Sequence, residues 1–401
     1  MLIAAIPMWA FEVDGICYAI EKEGASDVGI VSNPNGYSGD LTIPSTVTYE
    51  GRTYNVVSIW MGAFKNCTGL TTITFPNSSL RKIYSDAFMG CTNLKYINCF
   101  VSSKNSYDYI EYIGDWAFDG CTSLKEIPVG KRIKEIGEGA FDDTLWYNNQ
   151  ADGILYQNIG TSVGEKRYVC LGYKGAKPTG TLTIQEGTTL IALRAFASCS
   201  GITDVVLPTT LSQNPSDALC ETGWYNNQAI LYSGDVCYGF GGAEDLDKTN
   251  VVIKSGTKTI FKEAFNGEYD IESLTIPESV TSIGTDAFAG CEYLTSVIIE
   301  DGTTELSGLK LPDSPVEKLY MGRPCSGKLG TPTLKEVTFG NSITSIGNEV
   351  FSGCSSLALV NIPESVTSIG DRAFYNCSSL ASVNIPESVT SIGNGAFYNC
   401  I

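Results

Sequence analysis

The sequence predicts a repeat solenoid: a right-handed, mostly β superhelix with a 23-residue period, short 3₁₀ or helical turns and an N-terminal β cap. Two observations predict it. First, "IPESVTSIGDRAFYNC" at Ile362–Cys377 returns as "IPESVTSIGNGAFYNC" at Ile385–Cys400 and as "IPESVTSIGTDAFAGC" at Ile276–Cys291. Second, a phenylalanine, usually preceded by alanine, recurs at 64, 88, 118, 141, 196, 265, 288, 351, 374 and 397, with Leu219 in the same slot. Steps such as Phe351 to Phe374 to Phe397 equal 23 residues, a spacing that marks a stacked array. The longer gaps after Phe141 and Phe288 read as two turns carrying insertions, which makes roughly thirteen or fourteen turns in one array.

Each part of the unit has a local reason. Leu357, Val360 and Ile362 open it with an L-x-x-L-x-L spacing, and the two-residue alternation turns Val360 and Ile362 inward and Asn361 outward. Pro363 lacks the N–H needed to continue a ladder, so the strand ends there. Val366 and Ile369, three apart, predict a short extended or irregular stretch on the opposite wall. Gly370 is expected to take a positive φ that closes this stretch. "DRAFYNC" is too short for a stable helix and predicts a single helical or 3₁₀ turn that brings Ala373, Phe374 and Cys377 inward.

The copying follows from energetics. Seven or so apolar side chains per unit cannot offset the ordering of 23 residues at about 1–2 kcal/mol of backbone entropy each. A lone turn is therefore unstable. Stacking lets each turn bury both faces, and like neighbours present like surfaces.

The motif "IPESVTSIGDRAFYNCSSL" resembles the BspA-type leucine-rich repeat family, surface and secreted proteins of anaerobic gut and oral bacteria that also occur in some parasitic protists. The resemblance runs from about Asp40 to the end, and "FEVDGICYAI" with "YEGRTYNVVSI" resembles the strand-rich cap that opens such proteins. It implies a leucine-rich-repeat superhelix and an extracellular or cell-surface binding role, in some members adhesion to host matrix proteins. The expected organisation is a leader remnant and β cap over 1–55, then a solenoid over 56–401. Hairpin insertions are expected near 146–186 and 224–256, and a loop insertion near 300–333.

Composition narrows the function. The 401 residues include 26 basic and 44 acidic side chains, a net charge of −18, and that field disfavours nucleic acid and anionic lipid as partners. Histidine is absent, which removes Ser-His-Asp, Cys-His and His-ligated metal arrangements, and no metal or cofactor is expected. No run of apolar residues is long enough for a membrane-spanning helix, so membrane insertion is not expected. The opening "MLIAAIPMWA" reads either as the tail of a secretion leader or as the start of the first strand. Fourteen cysteines in a secreted chain ordinarily suggest disulfides, but Cys67, Cys91, Cys121, Cys199, Cys291, Cys354, Cys377 and Cys400 all stand three after the repeat Phe. A thiol placed once per turn on the inward side behaves as a small hydrophobe, and free buried thiols are expected.

Other motifs are better explained by structure. "WYNNQADGILY" from Trp146 and "WYNNQAILY" from Trp224 lead into strand-like text and predict hairpins protruding from the solenoid, their aromatics serving packing. "GRPCSGKL" from Gly322 mimics a phosphate-binding loop but has Leu329 where Ser or Thr is needed. "EDLDKTN" from Glu244 lacks calcium-loop spacing and predicts a solvated turn.

What remains is a non-catalytic binding module that reads its partner with outward strand positions. These are Thr71, Thr72 and Thr74, then Lys95, Tyr96 and Asn98, then Lys125 and Glu126. Later turns add Glu272, Ser273, Thr275, Lys335, Glu336, Ser382 and Asn384. The residues singled out for partner binding are Lys95, Tyr96, Asn98, Lys125, Glu126, Lys335 and Glu336. A polar, mixed-charge surface suits a host or bacterial surface protein, with a glycan as a further partner class. A spacer for another domain and a carboxylate-based glycan-active enzyme are the alternatives. The stop at Ile401, before the next expected Leu, implies that the chain continues, or that a partner or a second copy covers the end.

Overall fold

In the computed structural model the structure describes residues 10–22, 24–75, 79–99, 109–160, 164–244, 246–311, 315–325 and 327–400. The apolar opening, whose reading as a leader remnant was one expectation, lies outside them except for Ala10. The chain forms two compact units that meet in sequence at Thr222 and Gly223. Together they carry about 14 turns of a mostly β solenoid with a period of about 23.

In the first unit an antiparallel cap precedes the repeats. Ala10–Val13 pairs with Ile16–Ile20, which pairs with Asp27–Ile30; Thr46–Tyr49 folds back on Arg52–Ile59. From Asp27–Ile30 onward the ladder is parallel, running through Arg52–Ile59, Lys82–Ile83, Tyr112–Ile113 and Glu135–Ile136. A second parallel sheet holds Gly39–Thr42, Leu70–Phe75 and Tyr96–Cys99. Parallel pairing of successive equivalents is what a repeat demands, because each copy enters its rung in the same direction.

The second unit has the same two walls. Its wide wall is a six-stranded parallel sheet of Asn250–Val252, Ser273–Ile276, Ser296–Ile299, Lys318–Met321, Glu336–Phe339 and Leu359–Asn361. Val251, Leu274, Val297, Leu319, Val337 and Val360 share one register and are all buried. The narrow wall stacks two-residue strands such as Ser345–Ile346, Ser368–Ile369 and Ser391–Ile392. The Val366 to Ile369 stretch is thus extended and laddered at its end.

The Ala-Phe segment closes each rung, and it is a chain of three-residue turns. Ala373 N donates to Gly370 O, Tyr375 N to Arg372 O and Cys377 N to Phe374 O. Left-handed residues interrupt these turns, at Arg372 (φ 52°) just before Ala-Phe and at Asn376 (φ 58°) two after it. The alternation keeps a helix from propagating and frees every second peptide to bond to the next rung: Arg372, Phe374 and Asn376 donate to Asn394, Ala396 and Tyr398 at 2.7–3.0 Å. The phenyl rings stack in consequence, Phe351 on Phe374 at 5.4 Å and Phe374 on Phe397 at 5.3 Å, within the range for aromatic pairs.

Three expectations are corrected. Gly370 does not have a positive φ. A Cβ there would stand 2.7 Å from the Asn348 N and the Gly347 carbonyl carbon, so glycine is required by the close approach of the preceding rung. The same holds at Gly114, Gly137 and Gly284, where a Cβ would come within 2.6–2.8 Å of backbone carbon. The hairpins do not simply protrude. Tyr168–Lys174 pairs antiparallel with Gly153–Asn158 but also parallel with Thr188–Ile191, and Val169 and Cys170 are fully buried. Likewise Val236–Phe240 pairs with Ile230–Ser233 and with Thr259–Ile260. Finally, the segment expected as a loop near 300–333 contributes the ladder strand Lys318–Met321. The gap from Phe288 to Phe351 is therefore filled by short rungs. Arg323 ties two of the turns together: fully buried, its Nη1 donates to Glu278 O at 2.8 Å and its Nη2 to Pro277 O at 3.0 Å.

Candidate functional site

The outward positions of the wide sheets form a regular solvent-facing surface on each unit. In the second unit Asn250, Ser273, Ser296, Lys318, Glu336 and Leu359 align in one register. Two residues along, Val252, Thr275, Ile298, Tyr320, Thr338 and Asn361 form a parallel row. Adjacent members of a row are one strand apart, roughly 4.8 Å, so each row is a nearly continuous strip of side chains.

The predicted partner-binding residues divide among different settings. In the first unit Tyr96 is in register with Thr72 and Asp40, and Asn98 with Thr74 and Thr42; Lys95 precedes the strand, its N–H donating to Thr71 O. Lys95, Tyr96 and Asn98 are exposed, Tyr96 by 54%. Beside them Asp40 accepts the Thr71 hydroxyl at 2.7 Å, and hydrogen bonds from Thr71 and then Thr72 hold its carboxyl below the usual range. Lys125 and Glu126 are exposed but stand on no strand. Among the described residues no strand pairing aligns them with Tyr96; beyond the Glu135–Ile136 strand the Leu145–Asn148 helix packs beside them, its Trp146 N–H donating to Leu124 O. In the second unit Glu336 is in register with Lys318, and Lys335 forms an ion pair with Glu317 at 2.6 Å. The ion pair sits in water, where it contributes on the order of 0–1 kcal/mol.

Sequence reasoning missed the apolar members of this surface. Val252 is 53% exposed, Ile298 42% and Leu359 64%, all in slots that repeat logic assigns to polar residues. The signal was available: in "LTSVIIE" and "LALVNI" an apolar residue occupies an outward position of the alternation. Tyr320 lies next to Ile298 in the same row, and its hydroxyl donates to the Asp301 carboxylate at 3.0 Å. Partial burial and then that carboxylate raise the phenol above its ordinary value.

The other motifs resolve structurally. Trp224 is buried and Trp146 packs against the core of the first unit. In "EDLDKTN" Asp247 accepts the Thr249 N–H and hydroxyl, a local turn. Six of the eight slot cysteines are buried, whereas Cys67 and Cys400 are half-buried. Among the described residues no helix is long and apolar enough to cross a membrane.

The comparison with solved structures returns bacterial leucine-rich repeat proteins. One from Bacteroides ovatus is 27% identical, with 98% of this chain and 92% of that one covered, at a TM-score of 0.37. A leucine rich cell surface protein from Faecalibacterium prausnitzii is 23% identical over 98% and 92%, at 0.33. No curated protein matches. The family model for the BspA type leucine rich repeat region matches in six copies, over residues 45–149, 173–230, 242–320 and 329–401. These segments span most of the sequence and contain the turns described above, so the chain belongs to the BspA-type leucine-rich repeat family.

Proposed function

We propose that the chain is an extracellular, cell-surface protein-binding module that holds a host or bacterial surface protein on the outer faces of its wide sheets. The observation that carries this reading is the second unit's pair of registered rows, in which exposed Val252, Ile298 and Leu359 are set among Ser273, Thr275, Lys318, Glu336 and Asn361. A few apolar anchors inside a polar, mixed-charge field is the arrangement of a protein-binding surface, since the anchors supply affinity and the polar groups select the partner. Lys95, Tyr96 and Asn98 offer a similar patch on the first unit, and Lys335 with Glu336 forms the rim of the second; Lys125 and Glu126 would contribute only as isolated contacts.

The experiment is a binding screen of the folded chain against matrix proteins, mucins and bacterial surface proteins, repeated with Ile298→Asp and Leu359→Asp. These side chains are already in water, so both variants should fold. Saturable binding to a protein, weakened at least tenfold by either variant, supports the reading. Binding unaffected by both, or no saturable binding to any protein, overturns it. Protease treatment of intact cells that removes the chain without lysis tests its surface location.

A further inference from the structure

In the first unit the ladder strands Arg52–Ile59, Lys82–Ile83, Tyr112–Ile113 and Glu135–Ile136 are each followed by a residue whose N–H bonds to the rung before. Trp60, Tyr84, Gly114 and Gly137 fill this slot and donate to Ile30, Ile59, Ile83 and Ile113 at 2.8–2.9 Å. At Gly114 and Gly137 a Cβ would stand 2.6–2.8 Å from a backbone carbon of the preceding rung, so close stacking calls for glycine. Trp60 and Tyr84 break that rule on neighbouring rungs, and both are only half-buried. Met61, beside Trp60, is 70% exposed. A local rule broken by large side chains that stay partly in water points to function rather than to packing.

These side chains and Glu21 line a cavity of about 310 Å³, at the small end for a ligand site. Its polar groups are held in place. The buried Ser58 hydroxyl donates to the Glu21 carboxylate at 2.5 Å. The Trp60 indole lies across Gly29, where a Cβ would overlap its Nε1 and Cδ1 and would also crowd the Ser58 Oγ. The indole Nε1 and the Ser58–Glu21 pair therefore converge on one place. No acceptor among the described residues meets the indole N–H, and no cation among them pairs with Glu21. One donor and one carboxylate acceptor are thus left open beside an apolar wall of Met61 and Tyr84, whose ring packs against Tyr112 at 5.6 Å.

We propose that this cavity binds one pyranose ring of a neutral glycan. A sugar hydroxyl is donor and acceptor at once, so it accepts from the Trp60 indole N–H and donates to the Glu21 carboxylate. The C–H face of the same ring covers Trp60, Met61 and Tyr84. Other ligand classes match the site less well. An ammonium group donates to Glu21 but has nothing to offer the indole N–H. A phosphate or a uronic acid accepts from the indole but meets the Glu21 carboxylate and the chain's net charge of −18. The volume suits a sugar ring rather than a folded surface. The site lies on a different sheet from Lys95, Tyr96 and Asn98, so a glycan here and a protein on the wide sheets are held independently.

The test is calorimetric titration of the folded chain with maltotriose, mannotriose, triacetylchitotriose and, as the acidic counterpart, trigalacturonic acid, with the indole N–H signals followed by magnetic resonance. At least one neutral trisaccharide is expected to bind saturably at millimolar concentration and to shift the Trp60 indole signal, which Trp60→Phe identifies. Trigalacturonic acid should bind about tenfold more weakly than that sugar. Trp60→Phe, which keeps a ring but loses the donor, and Glu21→Gln, at an exposed side chain, should each weaken the neutral sugar about tenfold, with the melting temperature showing that both variants fold. Ile298→Asp should leave the affinity unchanged, which separates this site from the sheet face. No binding of any of the four sugars, strongest binding of the acidic one, or an affinity that neither Trp60→Phe nor Glu21→Gln alters overturns the proposal.

Discussion

The thiol of Cys377 donates to the carbonyl of Phe351, 3.2 Å away and 26 residues earlier. The same bond joins Cys91 to Phe64 at 3.0 Å, Cys121 to Phe88 at 3.2 Å and Cys291 to Phe265 at 3.4 Å. The repeat cysteine is thus a small hydrophobe and a donor between rungs at once. Cys377→Ala removes both and should cost about 1–3 kcal/mol in urea unfolding. Cys377→Ser, which keeps the donor, should cost less than Cys377→Val, which keeps the bulk but not the bond.

Burial also governs thiol chemistry. It pushes the thiols of Cys170, Cys237 and Cys291 up to about 12, so the reactive thiolate is scarce at pH 8. A disulfide-exchange reagent at pH 8 should leave these three unmodified in the native chain and modify them once urea has unfolded it. Mass mapping of the labelled peptides checks this.

Two glycines make a matched pair. Gly353 has φ 82° with only the Lys328 amine near its open side, so Gly353→Ala should cost about 1 kcal/mol, the left-handed penalty. Gly370 faces the backbone of Asn348, so Gly370→Ala must push two rungs apart and should cost more, about 2–3 kcal/mol. Thermal melts of the two variants decide the order.

Asp142 predicts a pH effect. Its carboxyl is raised in the folded chain, by burial first and by Asp119, Asp143 and Glu138 next, so the native state holds its proton to higher pH than the unfolded chain does. Stability from this group is therefore fully present below the unfolded carboxyl's value and is lost as pH rises through the raised one. Asp142→Asn should raise the melting temperature at pH 7, and the gain should shrink as pH falls through the raised value and vanish well below about 4, the unfolded carboxyl's range, where both states are protonated. A series of melts from pH 3 to 7 reads it.

Arg323 holds the short rungs together through the carbonyls of Pro277 and Glu278. Arg323→Ala leaves both acceptors unpaired and a void behind them, and should cost about 3–5 kcal/mol. Amide exchange would show the loss centred on the Ser296–Ile299 and Lys318–Met321 strands.

The repeat was readable because one packing rule recurs on most rungs: the Val-x-Ile alternation, the Ala-Phe turn and the slot cysteine all emerge from "VNIPESVTSIGDRAFYNC". Gly370 shows a limit of such reading, since a glycine needed for a close approach and one needed for a positive φ are the same letter. Tyr173 shows another. Its ring occupies a phenyl position, but it arrives from a hairpin at irregular spacing, and only the fold reveals the equivalence. On the surface, Lys95, Tyr96, Asn98, Lys125, Glu126, Lys335 and Glu336 were legible as solvent-facing positions, but that Lys125 and Glu126 stand on no strand was not legible.

The central claim is that rungs are joined through the Ala-Phe turns as well as through the sheets, and residue-resolved amide exchange of the folded chain tests it most directly. The amides of Phe88 and Phe118 in the first unit, and of Phe351 and Phe374 in the second, each bonded to an alanine carbonyl of the next rung at 2.7–2.9 Å, should exchange as slowly as core strand amides. Exchange of these four at the rate of exposed loop amides would contradict the account.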